Sequence, residues 1–223
     1  MLRIFKDIHA GETCVNLGNG PSLVDAPRAL LERYPSFGAN KIFLLAEMPG
    51  WAGFTPTYYT IIDALMADDC TRRLRDYSVE AMFIRRGEQV KGAHQINTVV
   101  AAGFSKDINA KVVMGGTVTY ANLQIAYYMG FTTALLVGVD HSYGKYGKYE
   151  PGAAFMAEGH DNAHFHPDYF SDGHIYNAPE LTGTERMYRL ARQVWQSDDR
   201  RIYNLTPDTY LEEFPHDEYQ NWM

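Results

Sequence analysis

A glycine-rich segment, Leu-Gly-Asn-Gly-Pro-Ser, occupies residues 17–22 directly after a short apolar run. Glycine lets a backbone approach an anion closely, and a following helix offers unpaired amide groups and the positive end of its dipole. The segment is neither a G-x-G-x-x-G fingerprint nor a P-loop, because no lysine follows. The pattern predicts that a nucleotide is held by Gly18, Asn19, Gly20, Pro21 and Ser22. The alternative is a tight strand-to-helix turn with no ligand.

A second glycine pair, Gly115-Gly116, precedes a segment whose apolar residues recur with helical spacing. The start of this helix provides further amide groups, and Thr117 and Thr119 add hydroxyls. We predict that Gly116, Thr117 and Thr119 contact the same nucleotide. The alternative is that the two glycines only make the beginning of the helix flexible.

Two aspartates, Asp63 and Asp140, each follow an apolar segment that reads as a buried strand. Oxygen ligands of this kind suit Mg²⁺ that bridges phosphates, so a magnesium site at Asp63 and Asp140 is predicted. Capping of a helix or a turn is the alternative function of both carboxylates.

Five of the eight histidines lie between residues 141 and 174. The spacing of His160, His164 and His166 is compatible with a transition metal, and solvated or hydrogen-bonded loop histidines are the alternative. Histidine also titrates near neutral pH, which makes it a natural general base.

The elements that must position these residues alternate between strand and helix. Apolar runs predict strands at residues 13–17, 41–46, 57–62, 80–84, 133–139 and 201–205, and helices are predicted from residue 25, at 68–77, from 115 to 129 and at 184–195. This alternation predicts an α/β fold, a Rossmann-like three-layer sandwich with a mostly parallel sheet. Ligands bind at the carboxyl ends of such strands, where both the glycine-rich turn and Asp140-His141 fall.

Length and composition favour one domain. The 223 residues are divided into a core at about 12–141, a lid-like loop at about 142–180, and a final helix and strand at 181–223. A net charge of −7, with no run of Lys and Arg longer than two, argues against nucleic acid as a partner. The two cysteines fit a reducing compartment, and no apolar stretch suits a signal peptide or a membrane span, so a cytoplasmic location is expected. The 16 tyrosines suit an aromatic pocket or the interface of a homo-oligomer.

Four segments, GNGPSL, FGANKIF, GGTVTYANLQIAYYMGF and LLVGVDHSY, resemble the 6-hydroxymethylpterin diphosphokinase-like (MptE-like) family over roughly residues 12–143. The resemblance implies that an alcohol attacks the β-phosphorus of ATP and AMP leaves. Asn19, Gly20 and Ser22 would cradle the phosphates, and Asp63 and Asp140 would hold Mg²⁺. His141 or His174 would accept the proton of the alcohol, so the expected catalytic residues are Asp140, His141 and His174.

The same motifs are similar to those of bacterial sialyltransferases that use a CMP-sugar. There, positions matching Asn19, Ser22, Asn40, Thr117 and Thr119 surround the cytidine nucleotide, and Gly173-His174 falls near the place of the catalytic histidine. The sequence has Val118-Thr119 where those enzymes have Ser-Gly. The alternative function is therefore a metal-independent glycosyltransferase that uses a nucleotide-activated sugar and a small-molecule acceptor. A nucleotide-binding module without turnover is a third possibility.

Overall fold

The computed structural model describes residues 2–70, 72–144, 148–170 and 172–223. Its strands are β1 (Thr13–Leu17), β2 (Ser36–Ala39), β3 (Tyr58–Ile61), β4 (Ala81–Arg85), β5 (His94–Ile96), β6 (Thr98–Val99), β7 (Val112–Val113), β8 (Thr133–Val137), β9 (Ala154–Met156), β10 (Ile175–Asn177) and β11 (Arg201–Asn204). Its α-helices are α1 (Arg28–Arg33), α2 (Ala64–Cys70), α3 (Val118–Tyr128) and α4 (Leu181–Ser197). Among the helices within the described ranges, none is both long and apolar enough to cross a membrane.

The central sheet has seven strands in the order β11-β8-β1-β2-β3-β4-β5, and every neighbouring pair is parallel. From β1 the chain runs outward through β2 to β5, and it then returns to place β8 and β11 on the other side of β1. The strand order therefore reverses between β1 and β8, where a crevice opens at the carboxyl ends of a parallel sheet. The predicted α/β fold is confirmed.

Both faces of the sheet are covered. Cys14 and Leu136 belong to the hydrophobic cluster that contains α3 and α4, whereas their neighbours Val15 and Leu135 belong to the cluster that contains α1 and α2. This separation follows from the strand geometry, since successive side chains point to opposite faces. The result is the predicted arrangement of three layers.

Helix α3 is buried on all sides rather than on the single face that its apolar spacing predicts. It lies between the sheet, α4 and strand β7, so its polar side chains also need internal partners. Asn16 of β1 donates from Nδ2 to the Thr119 carbonyl at 3.1 Å, and Asn122 donates to Asn16 Oδ1 at 3.2 Å. These bonds fix the beginning of α3 against the carboxyl end of β1.

The strand predicted at residues 41–46 is wrong. The chain forms a 3₁₀-helix there, Ile42–Glu47, and the strand is β2, directly before it. Asn40, between the two, has a left-handed backbone with φ of 54°, which ends the strand and turns the chain. The helix predicted at 68–77 also starts earlier, because Asp63 accepts a hydrogen bond from the Met66 amide at 3.1 Å and caps α2.

The first helix begins later than predicted. A 3₁₀-helix, Pro21–Asp25, follows the glycine-rich turn, and α1 starts at Arg28 after Pro27. Asp25 is therefore the last residue of the short helix and does not cap α1.

The predicted lid, residues 142–180, contains the antiparallel hairpin β9–β10, with residues 145–147 and 171 outside the described part. Its large aromatic side chains belong to the same hydrophobic cluster as Val15 and Leu135, namely Phe155, Phe165, Tyr169 and Tyr176. The Phe165 amide donates to the Asn19 carbonyl at 3.0 Å. The lid is thus docked on the glycine-rich turn.

Candidate active site

A cavity of about 850 Å³ lies at the carboxyl ends of the central strands, between the glycine-rich turn, the start of α3, the lid and α4. Most of the sequence-predicted site residues line it: Gly18, Asn19, Gly20, Asn40, Asp63, Gly116, Thr117, Thr119, Asp140 and His141. Pro21, Ser22 and His174 are not among its lining residues. The fold therefore gathers the predicted nucleotide motifs around one space.

The glycines of the turn are required by its contact with the end of β8. The Gly18 amide donates to the Val137 carbonyl at 2.7 Å, and the Gly20 amide donates to the Gly138 carbonyl at 2.9 Å. A Cβ at Gly18 would overlap the Gly138 carbonyl, and one at Gly20 would overlap the Asp140 carboxylate. These two amides already have protein partners, so they are not free to bind a phosphate as the sequence predicts. Glycine is needed at both positions because the turn packs closely against the end of β8.

Asp140 holds the turn from the other side. Its carboxylate accepts hydrogen bonds from Ser22 Oγ at 2.8 Å and from the Ser22 amide at 3.2 Å. Burial raises the pKa of the Asp140 carboxyl, and the bonds from Ser22 act in the opposite direction. Ser22 serves this internal contact, in place of the nucleotide contact expected from the sequence.

Two asparagines that line the cavity have buried side-chain acceptors. Asn19 donates from Nδ2 to the Ala39 carbonyl at 3.3 Å, and Asn40 is held in its left-handed conformation by a bond from the Tyr59 hydroxyl to its carbonyl at 2.5 Å. Oδ1 of Asn19 and Oδ1 of Asn40 are buried and accept no hydrogen bond from any described residue. A buried polar atom without a partner costs about 1–3 kcal/mol, so a ligand that reached these oxygens and donated hydrogen bonds to them would remove an energetic cost.

The beginning of α3 opens on the same cavity. Thr117 is its N-cap, and its Oγ1 accepts from the Thr119 amide at 3.4 Å. Gly115 and Gly116 have positive φ values of 60° and 79°, so this turn needs glycine at both positions. Burial raises the pKa of the nearby Tyr188 hydroxyl, with hydrogen bonds from the two threonines acting against it. The remaining amide groups of the first turn make this end favourable for an anion.

The two carboxylates predicted to hold Mg²⁺ are not brought together. Asp63 follows β3 and Asp140 follows β8, and β1 and β2 lie between these strands. Three strand spacings put the two positions about 14 Å apart, beyond the reach of one ion. Each carboxylate also has a capping role, and within the described residues no group of three or more His, Cys, Asp or Glu could hold a metal ion. A requirement for Mg²⁺ stays a prediction.

The histidines predicted as possible transition-metal ligands point to different partners. His160 is 87% exposed and lies 3.8 Å from Asp168, and His166 lies 3.9 Å from Glu47. His164 is partly buried, with 13% of its side chain exposed, and it donates from Nδ1 to Asp161 at 2.8 Å. No shared metal site is formed by the three.

The two predicted bases occupy different environments. His141 has a buried side chain that lines the cavity, and its Nε2 lies 3.2 Å from Glu185 Oε1. His174 is 55% exposed, and its nearest charged group is Asp69 at 3.9 Å. The geometry therefore gives no support to His174 as the proton acceptor.

Sequence reasoning missed the pairing of His164 with Asp161. The two residues are three positions apart in a segment without periodicity, so only their types and spacing could have indicated it. It also missed Arg186, an exposed cation on α4 that lines the cavity.

No protein-family model and no curated protein matches the sequence. Solved sialyltransferase structures, however, are similar in fold. The sialyltransferase CstII from Campylobacter jejuni in complex with cytidine-5'-monophosphate is 13% identical, with a TM-score of 0.54 over 93% of this chain and 85% of that chain. A CST-II variant in complex with CMP is 15% identical, with a TM-score of 0.57 over 92% and 86%.

A further similar structure is the monofunctional alpha-2,3-sialyltransferase Cst-I from Campylobacter jejuni, which is 15% identical, with a TM-score of 0.51 over 92% of this chain and 80% of that chain. At identities this low, the structural similarity establishes a common fold alone. None of the comparisons supports the resemblance to the MptE-like diphosphokinases.

Proposed function

We propose that the protein is a glycosyltransferase whose donor is a sugar activated by cytidine monophosphate. The observation that carries the proposal is that Asn19 and Asn40 line one cavity at the ends of neighbouring strands, and that the side-chain oxygen of each is buried without a hydrogen-bond partner among the described residues. The fold supports it, because the sialyltransferases that share this fold include structures that hold CMP.

The chemistry of the two oxygens indicates which part of a nucleotide they would contact. An amide oxygen accepts hydrogen bonds, and a phosphate at neutral pH has almost only acceptors to offer. Ribose hydroxyls and the exocyclic amino group of cytosine are donors, so Asn19 and Asn40 suit the nucleoside. The phosphate is then left for the first turn of α3, where Thr117 and Thr119 line the cavity.

In the transfer step, an acceptor hydroxyl attacks the anomeric carbon of the donor sugar. The bond from that carbon to the phosphate oxygen breaks, and the nucleotide leaves with the electron pair. Negative charge grows on the phosphate, and the amide groups and hydroxyls at the start of α3 would stabilise it. This arrangement needs no ion held jointly by Asp63 and Asp140, so we expect activity without Mg²⁺.

The experiment measures binding of CMP, UMP, AMP and ATP by calorimetry and thermal shift, with and without Mg²⁺. We expect CMP to bind best and without metal, and at 100 times its Kd to add about 2.7 kcal/mol to the free energy of unfolding. Release of CMP from a CMP-activated sialic acid then tests turnover. Preference for ATP with Mg²⁺ would instead support the diphosphokinase reaction, and binding without turnover would indicate a nucleotide-binding module.

Two variants test which atoms bind. Asn19→Ala removes this acceptor and should weaken CMP binding at least about 5-fold, in line with about 1–3 kcal/mol for an unpaired partner. Ser22→Ala is the matched control in the same turn: it should lower the Tm, because Asp140 loses a donor, and should leave the Kd for CMP unchanged. Equal affinity of Asn19→Ala and the wild-type protein would refute the proposed placement.

A further inference from the structure

We infer that His164, oriented by Asp161, is the general base that takes the proton from the acceptor hydroxyl. The inference rests on the proposed function, and it assigns the proton transfer to a different histidine from either one predicted from the sequence. It is carried by a hydrogen-bonded pair in which Asp161 is buried and His164, partly buried, lines the cavity.

Asp161 is built to hold one imidazole. Its side chain has no exposed surface, and its carboxylate accepts hydrogen bonds from the Ala163 amide at 2.7 Å, the Phe170 amide at 3.2 Å and His164 Nδ1 at 2.8 Å. Burial opposes ionisation of Asp161, yet these bonds together hold the pKa of the carboxyl below its usual range. A charged carboxylate therefore fixes the proton of His164 on Nδ1.

The orientation of the His164 ring plane is also fixed. It stacks on Tyr169 with the ring centroids 3.9 Å apart and the planes inclined by 7°. Nε2 then carries the free lone pair, and it makes no hydrogen bond to another described residue. His164 lines the cavity, and in its protonated form its charge lowers the pKa of the Asp140 carboxyl, against the larger opposite effect of burial.

The proton transfer follows from this geometry. As the acceptor oxygen bonds to the anomeric carbon, its proton passes to Nε2 of His164. The resulting imidazolium donates from Nδ1 to Asp161 and interacts electrostatically with Asp140, so both carboxylates stabilise its charge. The Phe165 amide, directly after His164, donates to the Asn19 carbonyl and so holds this part of the lid at the glycine-rich turn.

Among the five histidines between residues 141 and 174, only His141 and His164 line the cavity. Nε2 of His141 already lies beside Glu185, whereas the corresponding nitrogen of His164 is free. His164 is therefore the better placed of the two to accept a proton.

The test compares His164→Asn with two controls, His160→Asn and His174→Asn. Asparagine keeps a donor near the position of Nδ1, so the bond to Asp161 and the fold can survive. We expect His164→Asn to lower kcat for CMP-sugar consumption at least 100-fold with the Kd for CMP changed less than 2-fold. Both controls should keep the wild-type kcat. Wild-type turnover in His164→Asn, or a large loss in His174→Asn alone, would overturn the assignment.

Asp161 is a positioning residue in this scheme, and its test is spectroscopic. In wild-type protein labelled with ¹⁵N-histidine, we expect His164 as the Nδ1–H tautomer, with its Nε2 resonance shifted by CMP. The Nε2–H tautomer would overturn the inference even if no variant folds. Failure of the wild-type protein to consume any CMP-sugar would overturn the proposed function and the base with it. Turnover that does not depend on His164 would overturn the base alone.

Discussion

The side chain of Asp161 combines complete burial with three hydrogen-bond donors. Such a carboxylate is stabilising only while it is charged, because its donors then have a charged partner. The pKa of its carboxyl in the folded protein is lowered, although burial alone would raise it. Stability from a carboxyl of this kind is present above its unfolded pKa of about 3.9 and is lost as the pH falls through the folded value.

We therefore expect Asp161→Asn to lower the free energy of unfolding by about 1–3 kcal/mol at pH 7. The NH₂ group of the asparagine would face one of the three donors that bond to the carboxylate, and that donor would lose its acceptor. The difference from the wild-type protein should begin to shrink below about pH 4, where this carboxyl becomes protonated in the unfolded chain, and should be lost only as the pH falls through the lowered pKa of the folded protein. Urea unfolding at pH 7 and pH 3.5 measures both values. The exposed Asp168→Asn is the control and should change neither. A deficit that is equal at the two pH values would contradict this account of Asp161.

At the scale of elements, the glycine-rich turn and the end of β8 depend on each other. Gly20 has no room for a methyl group, because the Asp140 carboxylate occupies that position while it holds Ser22. A Cβ at Gly183 of α4 also meets a carboxylate, but there it is the end of the flexible Glu180 side chain. A comparison of alanine substitutions at the two glycines therefore distinguishes a contact with a fixed carboxylate from a contact with a movable one.

Gly20→Ala should cost about 1–3 kcal/mol of stability, as for other overpacked sites. Gly183→Ala should be neutral or stabilise by up to about 1 kcal/mol, since alanine is the better helix former. Chemical unfolding of the two variants beside the wild-type protein gives both values. Equal destabilisation by the two changes would contradict the rigid contact with Asp140 as the reason for glycine at position 20.

Elements with strong apolar runs were predictable: β1, β3, β4, β8 and β11 lie within two residues of their predicted bounds. A strand was wrongly predicted after residue 40 because the apolar residues of the 3₁₀-helix suit a strand as well as a helix. The true strand β2 is short and contains Gly38, so its sequence pattern is weak. The positions of the glycine-rich turn and of α3 were predicted correctly from their sequence motifs. The partners of individual atoms were not, because Ser22 and Asp140 are 118 positions apart and meet only in the folded sheet.

At the scale of the whole molecule, the lid belongs to the core. Its aromatic residues share a hydrophobic cluster with β1, β8 and the helices on that face, and the other face is packed by α3 and α4. Both clusters meet through the same strands, so loss of one face would expose the sheet to water. A single domain over residues 1–223 stays a prediction, which unfolding can test.

Two buried tryptophans report separately on the two faces. Trp51 lies in the cluster that includes the lid, and Trp195 of α4 lies in the other cluster. Trp195→Phe should be tolerated, because Nε1 of Trp195 is buried without a partner among the described residues. Trp51→Phe should cost about 1 kcal/mol, since Nε1 of Trp51 donates to the Val24 carbonyl at 3.1 Å.

Each variant is combined with Trp222→Phe, so that a single tryptophan is left, and its urea unfolding is followed by fluorescence and by far-ultraviolet circular dichroism. Comparison of the two probes within one variant removes the stability difference between the variants. We expect coincident transitions in both, because the seven-stranded sheet links the two faces and small domains unfold cooperatively. If Trp51 fluorescence changes at a lower urea concentration than the circular dichroism, the face that carries the lid unfolds by itself. The chain would then consist of two units, and the lid could open without disturbing α3 and α4.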